Sequence, residues 1–344
     1  MRIPLLLSLC CVASSVNALG VGVNMENLEM HYEIVAMSPA WGSVVHQYKS
    51  RNTYKNALGV GWCNAIHLKT AKEEKHIDIE TRAVVAKDSV TIENCGMRQQ
   101  FGDAIRFEPD RATRTKLVGT TLQTLARNGA DILLSSPETF ATVKISRTGI
   151  DVWHPGFSVG VQTYDWSGKL VSVAGMAVET DAAGRVVKLL APDAQGVTFI
   201  YDGAHLAKIQ GPGGSAANYA FEGDQLSELD NAWRKRYAFA YSDRFNLQSI
   251  VYPDQTRFTF FYDETRDVIT GFLNRNGCME TYSQIAGQDA DHYKAQSTLV
   301  CDGKKMQERT VTLVFGKNGY LTDRRDVTLD DKGEVLNNIS YPAH

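Results

Sequence analysis

The chain has 344 residues, 43% of them hydrophobic and 22% charged, which is ordinary for a folded globular protein and excludes a disordered or fibrous one. Its formal net charge is −3, without a long run of either sign. A basic stripe is the usual footprint of a nucleic-acid binder, so its absence argues against nucleic acid as a partner.

Residues 1–18 read as a signal peptide. Met1-Arg2 is a short positive start, Leu5 to Val12 an apolar core, and Val16-Asn17-Ala18 the small residues that precede cleavage before Leu19. The run is far shorter than the roughly 20 apolar residues of a membrane span, and no other stretch could cross a membrane as a helix. Cys10 and Cys11 follow a leucine run, but Leu9 stands where a lipidation motif wants a small residue. The expected destination is therefore the periplasm, the cell surface or the medium. Past the leader remain Cys63, Cys95, Cys278 and Cys301, an even number in an oxidising compartment. They allow three connectivities, of which the local pairs Cys63–Cys95 and Cys278–Cys301 are the simplest. The cysteines lack the CxxC clusters and neighbouring histidines of a metal site, so they are read as structural disulfides.

From 19 to about 155 the chain reads as a β-rich region. Strands are expected over Leu28–Ala36, His76–Glu80, Ala83–Ile92, Ile132–Ser135 and Thr142–Ser146, separated by turn residues such as Arg127-Asn128-Gly129-Ala130-Asp131.

Between 156 and 275 an internal repeat emerges. Tyr201, Phe221, Tyr241 and Tyr262 succeed one another at steps of 20, 20 and 21 residues. Each unit carries an apolar pair three residues apart: Leu170/Val173, Val186/Leu189, Leu206/Ile209, Leu226/Leu229 and Leu247/Ile250. A turn follows, such as Ala191-Pro192-Asp193, Gly211-Pro212-Gly213-Gly214 or Tyr252-Pro253-Asp254. The unit then closes on alternating aromatics: Phe199/Tyr201, Tyr219/Phe221, Tyr237/Phe239/Tyr241 and Phe258/Phe260/Tyr262. Strict alternation is a strand signal and Pro/Gly reverses the chain, so each unit is a two-stranded hairpin. A lone hairpin is marginal in water. Neighbouring units must stack and share a buried face, with the aromatic rows lining it. Beyond 276, weaker strands such as Arg309–Phe315 and Leu321–Leu329 suggest degenerate hairpins or a cap on the array.

These units resemble the YD repeats of the bacterial RHS/YD-repeat family. Tyr164-Asp165-Trp166-Ser167-Gly168-Lys169-Leu170, and Tyr201-Asp202 followed by Leu206/Ile209, carry the resemblance. So does the lead-in Ser50-Arg51-Asn52-Thr53-Tyr54 through Gly59-Val60-Gly61-Trp62-Cys63. Two positions depart from the pattern: His205 sits near the place of the turn glycine, and Thr180 replaces the tyrosine. The resemblance implies an all-β chain whose hairpin array forms a curled or spiralling sheet. Large members of that family enclose a C-terminal toxin in such a shell. Here the tail Asn337 to His344 is too short for a toxin, and the proline-rich aspartate motif of self-cleaving shells is absent.

Chemistry is sparse. His76, Asp78 and Glu80 share one face of an expected strand, but plain alternation with Ile77 and Ile79 makes a solvated face the simpler account. Asp289-Ala290-Asp291-His292 lacks the glycine and glutamate of a calcium loop. Nucleophile-elbow, P-loop, dinucleotide and HExxH motifs are missing, so neither enzyme activity, metal nor cofactor is expected. Trp62 beside Cys63 reads as packing on a disulfide. Trp153, Trp166 and Trp233 fall outside the regular rows, beside turns, and are the candidates for an exposed contact. The expected role is that of an exported, non-catalytic binding or scaffold protein that takes a protein partner or a glycan. A subunit of a larger envelope assembly, a shell associated with an effector encoded elsewhere and an envelope-polymer hydrolase are the alternatives.

Overall fold

The computed structural model describes residues 20–39, 43–52, 55–64, 149–153, 161–165, 170–191, 196–263, 265–286, 292–315 and 321–342, together with short strand segments between 69 and 145. The fold is all-β and overwhelmingly antiparallel. Sequence-neighbouring strands pair in an uninterrupted ladder from Thr115–Leu117 to Val335–Pro342, which passes through both 155 and 275 without a break in topology. At the other end Thr115–Leu117 pairs with Met97–Phe101, that strand with Val90–Asn94, and Val90–Asn94 with Lys69–Ala71. No register joins Val335–Pro342 to Lys69–Ala71 among the described residues.

Strand positions follow the alternation of the sequence closely. Glu29–Met37, Asp131–Ser135 and Thr142–Ile145 lie within a residue of expectation. Within the strands expected over His76–Glu80 and Ala83–Ile92, the described residues form Ile77–Asp78, Ala83–Val84 and Val90–Asn94, and the others lie outside the described residues. After Cys278 the strands are long, not weak: Lys304–Phe315 and Leu321–Asp330 exceed every strand of the repeat array.

Within the array each unit is a hairpin, and its apolar pair is the heart of the core. Leu206, Ile209, Leu226, Leu229, Leu247 and Ile250 are all fully buried. Burying such a side chain contributes about 1.5–3 kcal/mol. The inner aromatics Phe199, Tyr219, Phe239 and Phe260 are buried beside them, whereas Tyr201, Phe221, Tyr241 and Tyr262 at the strand ends are half-buried. The tyrosines among these last four share one role. Their hydroxyls donate to the carbonyls of Val186, Leu226 and Leu247, each fifteen residues earlier, at 2.7, 2.8 and 3.1 Å. Burial pushes the Tyr241 and Tyr262 hydroxyls well above the usual phenol range. Phe221 has no hydroxyl, and the His205 ring stacks on it with centroids 4.4 Å apart. Replacing Tyr262 with phenylalanine should cost about 1 kcal/mol in denaturant titration, the worth of one hydrogen bond.

The turns also repeat, those of Asn231, Asn274 and Asp330 on one rim and that of Asp181 on the other. The side chains of Asp181, Asn231, Asn274 and Asp330 accept the backbone N–H groups two and four residues on. The fourth residue of each turn takes positive φ. It is Gly184, Gly277 or Gly333 in three of these turns, but Arg234 (φ 58°) in the Asn231 turn, and Gln255 (φ 66°) in the turn from Tyr252 to Thr256. A side chain there is strained. Gln255→Gly is expected to raise stability by about 0.5–1 kcal/mol, measurable as an upward shift in Tm. On the opposite rim, Arg266 and Thr265 hold the Asp263 carboxyl at about 2, below its ordinary 3.8. The sign follows from that depression: the contribution is present above about pH 4 and lost as pH falls toward 2. Asp263→Asn should remove that part of the acid dependence in an unfolding titration.

The second layer is the surprise. Val21–Asn24, Glu29–Met37, Val44–Lys49 and Trp62–Asn64 form a separate four-stranded sheet lying on the array's inner face. Tyr32, Tyr48 and Trp62 pack against Phe239 and Tyr241 of the repeats, with centroids 5.0–6.4 Å apart. The Trp62 indole N–H donates to the Tyr241 hydroxyl at 2.6 Å. Buried His46 meets the Tyr219 hydroxyl at 2.6 Å through Nε2 and the Asn64 amide at 3.1 Å through Nδ1. The stacked units therefore share their buried face with the N-terminal sheet. Aromatics line it as expected, but the N-terminal sheet fills it.

Candidate functional site

A filled inner face leaves the rims and the outer face for contact with other molecules. Along Arg257–Asp263 and Val268–Leu273 the inner positions Phe260 and Phe272 are buried, so alternation turns Phe261 and Leu273 outward, where they are 42% and 39% exposed. Leu273 pairs with Met279, and Met279 with Val300, which puts three apolar side chains side by side on adjacent strands. Exposed Met306 follows at the bulge next to Val300. An outer sheet face is normally polar, and a contiguous apolar row on it marks a contact surface. Methionine adds conformational adaptability to such a surface.

The row is held by a covalent staple. Cys278 and Cys301 are disulfide-bonded and directly flank the Met279–Val300 pair. Cys63 is disulfide-bonded as well, while Cys95 lies outside the described residues.

On the C-terminal strands the inner face carries polar groups beside the buried Ala295, Val311 and Leu313. Arg309 donates to both carboxylate oxygens of Asp326 at 2.9 and 2.6 Å, and Asp326 raises the Arg309 pKa. Arg324 pairs with Glu26, tying the C-terminal strands to the N-terminal segment. Gln284 donates to the Tyr293 hydroxyl at 2.8 Å, and burial pushes the Tyr282 hydroxyl up, with Glu280 adding to the rise. The buried carboxylate Asp326 is thus engaged by the Arg309 guanidinium, an internal clasp between neighbouring strands.

Of the three tryptophans singled out in the sequence, Trp233 stands at the tip of the Asn231–Lys235 turn, 51% exposed. Trp153 is 40% exposed on the Ile150–Trp153 strand, several strands away in the ladder, and Trp166 lies outside the described residues. Near Trp233 in the repeat order, Arg275 covers the Tyr252 ring at 4.1 Å and bonds Thr256 and Asp254, a network closed on itself. His76 and Glu80 lie outside the described residues, as do Asp289 and Asp291; His292 is exposed at the start of its strand. Among the described residues no three His, Cys, Asp or Glu side chains converge as metal ligands. No helix among them is long and apolar enough to cross a membrane. The outer row was legible in one place, Phe260-Phe261-Tyr262, where consecutive aromatics break the alternation and force one ring outward.

No protein-family model matches the chain. No curated protein matches it either. Among solved structures, one described as TcdB2-TccC3 without its hypervariable C-terminal region is 10% identical, with a TM-score of 0.28 over 94% of this chain and 20% of that one. A structure of TcdB2-TccC3-TEV is also 10% identical, with a TM-score of 0.26 over 92% of this chain and 23% of that one. The chain therefore spans about a fifth of the length of the structures to which it is similar.

Proposed function

We propose that this chain is an exported, non-catalytic scaffold of the bacterial cell envelope or surface that binds a protein partner through the outer face of its repeat sheet. The observation that carries the proposal is the apolar row Phe261, Leu273, Met279 and Val300 on a face where alternation calls for polar residues. A protein partner fits this row better than a glycan does, because the row offers apolar area and few hydrogen-bonding groups. Gentle cross-linking of the chain in its own cells, followed by native mass and identification of co-purifying proteins, tests it. The expected result is a defined complex from the native chain, and loss of that complex from the Phe261→Glu/Leu273→Glu double variant with an unchanged Tm. A lone monomer from native cells would overturn the reading. The exposed face of Trp233 favours glycan binding as the second reading. Glycan-array binding abolished by Trp233→Ala, with the outer-row variant unaffected, would put it first.

A further inference from the structure

In four consecutive units the register slips by one residue, at Ile200/Tyr201, Ala220/Phe221, Ala240/Tyr241 and Phe261/Tyr262. Just past each slip the aromatic pairs with a buried apolar residue near the start of the next strand: Leu206, Leu226, Leu247 and Ile269. The N-terminal segment meets the array at this same place in three of the four units, and close beside it in the other. The Leu206 N–H donates to the Ala57 carbonyl at 2.7 Å, the Leu247 N–H to the Tyr48 hydroxyl at 2.9 Å, and the Ile269 N–H to the Leu28 carbonyl at 3.1 Å. In the remaining unit Val60 donates to the Asp224 carbonyl at 3.1 Å, two residues before Leu226. Gly59 allows that approach, since a Cβ on it would stand 2.6 Å from the same carbonyl oxygen. Tyr48 serves twice, because its hydroxyl also donates to the Phe245 carbonyl at 2.9 Å.

Leu28 meets the last of these units and Tyr48 the one before it, while Ala57 meets the first and Val60 the second. A cover held by general apolar burial would not need hydrogen bonds at the same repeat position of three units; a further bond, from the Ala232 N–H to the Ala36 carbonyl at 2.8 Å, lies in the turn between the second unit and the third.

We infer that the N-terminal sheet is a built-in template for the array: units 196–273 hold their native stacking only while docked on it, and the spacing of its four contacts sets which units they are. Docking and array folding are then one cooperative event, since the Ala57 and Leu28 carbonyls and the Tyr48 hydroxyl satisfy bulged N–H groups of the array, and the Asp224 carbonyl satisfies the Val60 N–H.

Native-state hydrogen exchange on the full-length chain tests this. The template predicts that the Leu206, Leu247 and Ile269 amides exchange in the same opening event as the Glu29–Met37 and Val44–Lys49 strands. It also predicts that Tyr48→Phe, which removes both hydrogen bonds at Phe245 and Leu247, speeds exchange across 196–273 by about tenfold or more. If the N-terminal strands open while 196–273 stay protected, the sheet is only a cover and the inference fails. Acceleration confined to the Leu247 amide would overturn it equally. Should Tyr48→Phe not fold, the order of opening in the native chain decides alone.

Discussion

Trp62→Ala is expected to destabilise the chain by about 3–5 kcal/mol, the range of large aromatic-to-alanine truncations in a packed core. The indole is fully buried and touches rings from both layers: Tyr32 and Tyr48 on its own sheet and Phe239 across the interface, at centroid distances of 6.1, 5.5 and 5.0 Å. Its N–H is also the partner of the Tyr241 hydroxyl, which donates onward to the Leu226 carbonyl. Alanine therefore leaves a cavity, an orphaned hydroxyl and a gap between the layers. Chemical denaturation followed by tryptophan-independent circular dichroism reads the loss. Trp62→Phe, which keeps the ring volume in part and loses the N–H, should fall between the two. A loss below 1 kcal/mol for Trp62→Ala would mean that the interface between the layers contributes little.

The second large effect is expected from Cys278→Ser/Cys301→Ser. The bond closes a loop with a sequence separation of 23, for which restriction of the unfolded chain is worth about 3 kcal/mol. It also pins the Met279–Val300 register at one end of the hairpin made by Met279–Ala286 and His292–Cys301. The double variant should lower Tm under non-reducing conditions, and reductant, which also opens the Cys63 disulfide, should lower the Tm of the native chain at least as far. A reductant effect that persists in the double variant would point to the Cys63 disulfide instead.

Much of the array was legible in the sequence, because its determinants are local. The apolar pairs, the Pro/Gly turns and the alternating aromatics each act within a single hairpin, and the observed strands follow them to within a residue or so. The Asp/Asn turns could also have been read from Asp181-Ala182-Ala183-Gly184 and Asn274-Arg275-Asn276-Gly277, since an acceptor three residues before a glycine is a turn signal. The second layer was not legible. Nothing in Glu29-Met30-His31-Tyr32 indicates that Tyr32 will pack on Phe239, because pairing across some two hundred residues is fixed by shape and by matched polar groups, not by local pattern. For the same reason Trp62 read as a disulfide neighbour and proved to be the centre of an aromatic cluster. The site suffered likewise: tryptophans beside turns draw the eye, whereas Leu273, Met279 and Val300 become a surface only once three strands are in register.

Tandem repeats change length readily during replication, because near-identical units misalign and whole copies are gained or lost. In a simple ladder such a change is benign, since each hairpin meets only its neighbours. Here Leu28, Tyr48 and Ala57 are matched to Ile269, Leu247 and Leu206. Removing one unit between Leu206 and Ile269 would shift the later partners by a whole hairpin and leave their N–H groups facing the wrong loops. The N-terminal layer thus exposes copy-number variants of these units to purifying selection, and lineages carrying this architecture are expected to vary in unit number outside that stretch and not within it.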